Sequence, residues 1–101
     1  MTDENPFPEP VEIPITDSLD LHSFSPKDIR AVVEAYLAAA HEKGFEIVRI
    51  IHGKGLRSKA GGPVLKGLTD RLLRRRDDVV AFASARPMQG GTGAVVVLLK
   101  A

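Results

Sequence analysis

The sequence predicts an α/β fold with the order strand, helix, strand, helix, strand, strand. Three observations lead there. Ile29, Val32, Val33, Tyr36, Leu37 and Ala40 recur at helical spacing, and Val64, Leu65, Leu68 and Leu72 do so again. Ile47–Ile51 is apolar at nearly every position, as in a buried strand, and the apolar runs Val79–Ala85 and Ala94–Leu99 read as two further strands. Glycine and proline punctuate the chain between these runs. The 101 residues suit one domain. The chain has no cysteine, so disulfides, thiolate catalysis and Cys-ligated metals are excluded. No apolar run approaches the roughly 18–20 residues that span a membrane. MTDENPFPEP has neither the basic nor the apolar region of a signal peptide. A cytoplasmic protein with no membrane partner is expected.

Taken in order, residues 1–17 are read as an acidic, proline-rich extended arm, and 18–101 as the folded domain. Pro6, Pro8, Pro10 and Pro14 forbid a helix in the arm. Val11, Ile13 and Ile15 alternate, so part of it is expected to lie along the body. Ser18–Leu21 is a short strand. Ser25 suits a helix N-cap, Pro26 the first helical position and Asp28 the third, with Gly44 as the stop. Phe45–Ile51 forms the second strand. Pro63 opens a second helix whose last turn holds Arg74, Arg75 and Arg76, where cations suit the negative helix end. Val79–Ala85 and Ala94–Leu99 are the last two strands, joined by the loop Arg86–Gly93. Strands separated by helices are expected to pair in parallel through right-handed crossovers, and strand 4 to run antiparallel. The carboxyl ends of strands 1–3 and the start of strand 4 then share one edge, where ligands of open α/β sheets bind.

Charge is unevenly spread. Residues 1–20 hold six acids and no Lys or Arg, and the remainder holds 14 bases against seven acids. Arg49–Arg76 alone holds nine bases against the single acid Asp70. Such a segment attracts polyanions, and nucleic acid is the commonest; a solvated helix face balanced by the acidic arm is the plainer explanation.

Three groups at the shared edge carry chemistry. Asp20 and His22, two apart at a strand end, project to one face. A carboxylate can orient an imidazole as general base or acid, the pair can ligate a divalent metal, or the acid can simply cap the next turn. In His52-Gly53-Lys54-Gly55, two glycines let backbone amides converge on an anion beside Lys54, or serve only to turn the chain. The spacing fits neither a Walker A loop nor a dinucleotide fingerprint, so no nucleotide cofactor is expected. Gly90-Gly91-Thr92-Gly93 permits close backbone approach, with Arg86 and Gln89 beside it. His41 is expected to cap a helix dipole. No G-x-S-x-G elbow supports a serine hydrolase. With Phe7, Phe24, Phe45, Phe82 and Tyr36 as the aromatics, base stacking on a platform is not expected.

In this order, LDLH at Leu19–His22, HGKG at His52–Gly55 and GGTGA at Gly90–Ala94 resemble the Smr (small MutS-related) domain, over about Ser18 to Lys100. The chain looks like a stand-alone bacterial member. The resemblance implies a two-layer α/β sandwich with a four-stranded mixed sheet, similar to the C-terminal domain of translation initiation factor three. It implies nucleic-acid binding and an endonuclease that nicks DNA or cleaves RNA, by phosphodiester hydrolysis or transesterification. Asp20, His22 and His52 are the expected catalytic residues. Gly53, Lys54, Gly55, Arg57, Lys59, Arg86, Gly90, Gly91 and Gly93 are expected to meet the nucleic acid. The resemblance leaves open whether a divalent Mg or Mn ion takes part. The alternatives are a non-catalytic DNA- or RNA-binding module and a protein-interaction domain whose sheet face lacking helices is covered by the arm or by a second copy of the chain as a homodimer. Ser23 departs from the glycine the family often has after LDLH; its side chain narrows backbone access to a phosphate or lends it a hydroxyl.

Overall fold

The structure is a computed structural model and describes residues 14–53 and 62–100. Four strands, β1 (Asp17–Asp20), β2 (Ile47–Ile51), β3 (Val79–Ser84) and β4 (Ala94–Leu99), form one mixed sheet in the order β1-β2-β4-β3. Two helices, α1 (Ile29–Glu42) and α2 (Gly62–Arg75), complete the fold.

The sheet differs from the expected pairing in one respect. β1 and β2 pair in parallel, and β4 is antiparallel as expected. β2 and β3 share a direction but do not touch, because β4 lies between them and pairs antiparallel with both. Composition explains the insertion. AVVVLL is the strand with no polar residue, and five of its six residues are buried. The interior position keeps both of its edges paired and both of its faces covered.

Odd and even positions of β4 separate the two faces. Val95, Val97 and Leu99 join Val48, Ile50, Leu21, α1 residues Ile29, Val33, Leu37 and Ala40, and α2 residues Leu65, Leu72 and Leu73 in the main core. Phe45, Phe82 and Tyr36 pack against this core. Ala94 and Val96 join Ile47 and Ala85 in a smaller cluster, on which Ile15, Ile51 and Leu98 pack. Ile15 therefore lies against the body, and the Thr16 N–H donates to the Ile47 carbonyl at 2.9 Å. Val11 and Ile13 lie outside the described residues.

Helix ends follow local chemistry with small shifts. Pro26–Asp28 forms a 3-10 turn, and Ser25 is extended at its start without a side-chain capping bond. After α1, Gly44 takes φ +79°, its N–H donates to the His41 carbonyl, and the Phe45 N–H donates to Ala40. That is a Schellman stop. Arg76 lies beyond α2, where its guanidinium grips Asp78 at 2.8 and 2.7 Å. Arg76 holds the Asp78 carboxyl below its ordinary range. His41 Nδ1 reaches the same carboxylate at 4.0 Å, so this cluster ties the two helix ends together.

Thr69 on α2 is fully buried, and among the described residues its hydroxyl has no hydrogen-bond partner. Valine keeps the shape and removes the stranded polar group. Thr69→Val is expected to stabilise the fold by about 1 kcal/mol, a rise of several degrees in melting temperature, measurable by circular dichroism.

Candidate functional site

The register brings the described members of the expected set, Asp20, His22, His52, Gly53, Arg86, Gly90, Gly91 and Gly93, to one edge of the sheet. Asp20 pairs with Ile51, Ile51 with Ala94, and Ser84 with Val95. The residues just beyond these positions belong to the LDLH, HGKG and GGTG segments and to Arg86.

LDLH works by alternation. Leu19 and Leu21 turn toward the core, and Leu21 is fully buried. Asp20 and His22 are thereby held outward. The Leu21 N–H prolongs the β1–β2 ladder by donating to Ile51, and the Phe24 N–H donates back to Leu21, which closes a turn under His22. Asp20 Oδ1 accepts the His22 backbone N–H at 3.0 Å and lies 2.8 Å from its ring Nδ1. An ionised carboxylate only accepts, so Nδ1 is the donor and the neutral ring carries its lone pair on Nε2. The backbone N–H first, and the ring N–H second, hold the Asp20 carboxyl below its ordinary value. With 79% of the His22 side chain exposed, the ring stands where a ligand can reach it. This is the geometry of an oriented general base.

His52 is placed differently. It is 5% exposed, and its Nδ1 lies 2.8 Å from the Gly53 carbonyl, to which it donates. The backbone amides of His52 and Gly53 both donate to the Gly93 carbonyl, at 3.0 and 2.9 Å. Those two amides consequently serve to join the HGKG and GGTG segments. An anion nest in HGKG would rest on Lys54 and Gly55, which lie outside the described residues, as do Arg57 and Lys59. Gly53 takes φ +82°, and among the described residues nothing lies within 4 Å of where a Cβ would project.

The loop after β3 is two 3-10 turns, Pro87–Gln89 and Gly91–Gly93. Gly90 N–H donates to Pro87, Gly91 N–H to Arg86 and Gly93 N–H to Gly90. The glycine amides are thus used within the loop. Arg86 is exposed at its start, and Gly93 is buried at its end. Among the described residues no three His, Asp or Glu side chains cluster. Asp20 alone does not build a magnesium site, which wants several oxygens.

Comparison with known proteins fits this arrangement. The Smr domain family matches residues 19–100. The chain belongs to the Smr domain family. Escherichia coli "Probable DNA endonuclease SmrA" is 35% identical over 83 residues, which are 82% of this chain and 44% of that protein. "Endonuclease MutS2" of Carboxydothermus hydrogenoformans is 43% identical over 82 residues, 81% of this chain but 10% of its own length. The chain thus spans less than half of either relative. Among solved structures, YdaL, a stand-alone small MutS-related protein from E. coli, superposes with a TM-score of 0.77 at 34% identity, covering 83% of this chain and 64% of that one. The Smr domain of Thermus thermophilus MutS2 gives 0.74 at 30% identity, covering 85% of this chain and all of that one.

Sequence reasoning on this Smr domain overlooked two exposed apolar side chains. Phe24 is 40% exposed two residues beyond His22, and Met88 is 97% exposed in the loop after β3. Their signal was a large apolar residue inside a polar loop. Tyr36 belongs to the apolar stripe of α1. Its hydroxyl also donates to Asp17 at 2.8 Å, which pins α1 to β1 behind the LDLH turn. Among the described residues no helix is long and apolar enough to cross a membrane.

Proposed function

We propose that this Smr domain is an endonuclease whose general base is His22 Nε2. The observation that carries the proposal is the Asp20–His22 hydrogen bond, which fixes the tautomer and orients an exposed ring. The names of the relatives support the reaction class. A phosphodiester seats across the carboxyl edge of the sheet. His22 takes a proton from the attacking oxygen as that oxygen bonds to phosphorus. The attacking group is water on DNA, giving hydrolysis. On RNA it is water or the 2′-hydroxyl, and the latter gives a cyclic phosphate. The bond to the leaving oxygen breaks, and that oxygen gains a proton from the protonated ring or from solvent. Asp20 stabilises the imidazolium that forms meanwhile.

Burial and the bond to Gly53 favour His52 as a positioning residue rather than a proton donor. Lys54, Arg57, Lys59 and Arg86 are assigned to phosphate charge, and Gly53, Gly55, Gly90, Gly91 and Gly93 to keeping the approach clear.

Supercoiled plasmid and structured RNA, each with manganese, magnesium or chelator, test the proposal. Cleavage of either one by the purified chain is the expected result. Salt-dependent retention of both without cleavage would overturn the nuclease in favour of a binding module.

The acidic arm competes with phosphate for the basic surface under this proposal. Because Ile15 and Thr16 already engage the body, truncation should stop at residue 13. That removes Asp3, Glu4, Glu9 and Glu12. The shortened chain is expected to bind nucleic acid more tightly at low salt, with the difference shrinking as salt rises. Filter binding at two ionic strengths checks this.

A further inference from the structure

α2 presents Leu65, Thr69, Leu72 and Leu73 inward, and these are buried. At 100° per residue, Gly67, Arg71 and Arg74 fall opposite them, with Arg75 at the flank. All three arginines are exposed, and no acid among the described residues pairs with them. The nearby acids are engaged otherwise or set apart. Asp70 pairs with Lys66, Asp78 with Arg76, and Asp77 is exposed beyond the helix. Like charges three and four residues apart destabilise a helix. The helix dipole rewards cations in the last turn, but it carries only about half a charge, and its effect fades before Arg71. Folding alone therefore leaves this cluster unexplained.

The direction of α2 gives the cluster a place relative to the cleavage edge. α2 leads from the HGKG segment to the start of β3, so it begins at the carboxyl edge and runs away from it. Arg71 and Arg74 lie nine and twelve residues beyond Gly62. That is about 14 and 18 Å along the axis. Arg71 Nη1 lies 3.7 Å from where a Cβ on Gly67 would project, so its guanidinium leans back one turn toward the edge.

We infer that Arg71 and Arg74, flanked by Arg75, form a second phosphate-binding surface for the same nucleic acid. It would engage the backbone roughly four to five nucleotides' length from the carboxyl edge of the sheet, given 3.4 Å per phosphate along one strand. The inference rests on the nucleic-acid reading above and adds a footprint to it. Exposed guanidinium groups with no acid partner among the described residues suit phosphate oxygens, and their spacing along the helix suits a backbone that tracks it.

The test is fluorescence anisotropy on the full chain with a duplex of about 24 base pairs, titrated at several salt concentrations. Arg71→Gln/Arg74→Gln is compared with Lys43→Gln/Lys100→Gln, which removes the same charge at exposed positions outside α2. Glutamine is a good helix former, and thermal melts verify that both variants fold. The arginine pair is expected to reduce the log–log salt slope by about two and weaken binding about tenfold or more at 0.1 M salt, with little change for the lysine pair. Cleavage of substrates with fewer than about four nucleotides on each side of the bond should be unaffected. Wild-type binding with the same slope in both variants would overturn this inference alone. Failure of the wild type to bind at any salt would overturn it together with the nuclease reading.

Discussion

His22→Ala is expected to lower cleavage by about two to four orders of magnitude while leaving the melting temperature nearly unchanged. Both halves of that expectation come from the same pair of side chains. The ring is exposed, and its hydrogen-bond partner among the described residues is Asp20, which is itself half exposed. Exposed ion pairs add little to stability, so removing this one leaves the core intact. Chemistry has no such substitute, because Nε2 is the group assigned to the proton. Asp20→Asn separates orientation from charge. The amide oxygen can still accept both His22 N–H groups, whereas the charge beside the imidazolium is lost. A milder loss of about tenfold is expected, the difference between a charged and a neutral acceptor after solvent screening. The sign of the Asp20 shift adds a pH test. Its folded value lies below its unfolded one, so its contribution is full above the ordinary carboxylate value and is lost as pH falls through the lowered one. Acidification to about pH 5 should therefore leave the Asp20 contact in place. Loss of the melting transition in His22→Ala, or cleavage within a few fold of wild type, would sink the assigned role.

The fold and the site were legible to different degrees, for physical reasons. The helix stripe of α1 was readable because Ile29, Val33, Leu37 and Ala40 repeat at the helical period. The Asp20–His22 contact was readable because a two-residue offset on a strand puts both side chains on one side. The place of β4 between β2 and β3 was not, since strand order depends on competition among apolar strands for the centre, and periodicity does not record it. The fates of the loop amides were not readable either. Two glycines in HGKG suggest an anion nest, but the Gly93 carbonyl takes the His52 and Gly53 amides, and that carbonyl comes from forty residues later in the chain. Likewise His52 and His22 look alike in the sequence. A buried β2 strand draws one inward, and a tight turn after Leu21 presents the other.

That shared carbonyl makes Gly90 the position where a single methyl group is expected to do most damage. Gly90 has φ +118°, which L side chains rarely adopt, and an added Cβ would lie 2.9 Å from the Ala94 Cβ. Ala94 is almost fully buried and pairs with Ile51, so it cannot step aside without disturbing the sheet. Gly90→Ala is thus expected to cost about 1–3 kcal/mol. For a domain of about 100 residues that is a fall in melting temperature of several degrees or more. Function should suffer beyond this. The Gly90 carbonyl accepts the Gly93 N–H, and the Gly93 carbonyl accepts the His52 and Gly53 amides. Movement at Gly90 therefore reaches the HGKG segment through backbone hydrogen bonds alone. Gly44→Ala is the control. Gly44 has φ +79° with nothing among the described residues within 4 Å of a Cβ, and it lies at the far end of α1, away from the carboxyl edge. It should lose about 1 kcal/mol of stability from the left-handed backbone and none of its cleavage rate. Thermal melts and cleavage rates of both variants, measured well below either melting temperature, separate the two effects. Equal loss of cleavage in the two would mean that the GGTG turn matters to the fold and not to the site. A loss confined to Gly90→Ala would place the joined glycine turns within the cleavage machinery.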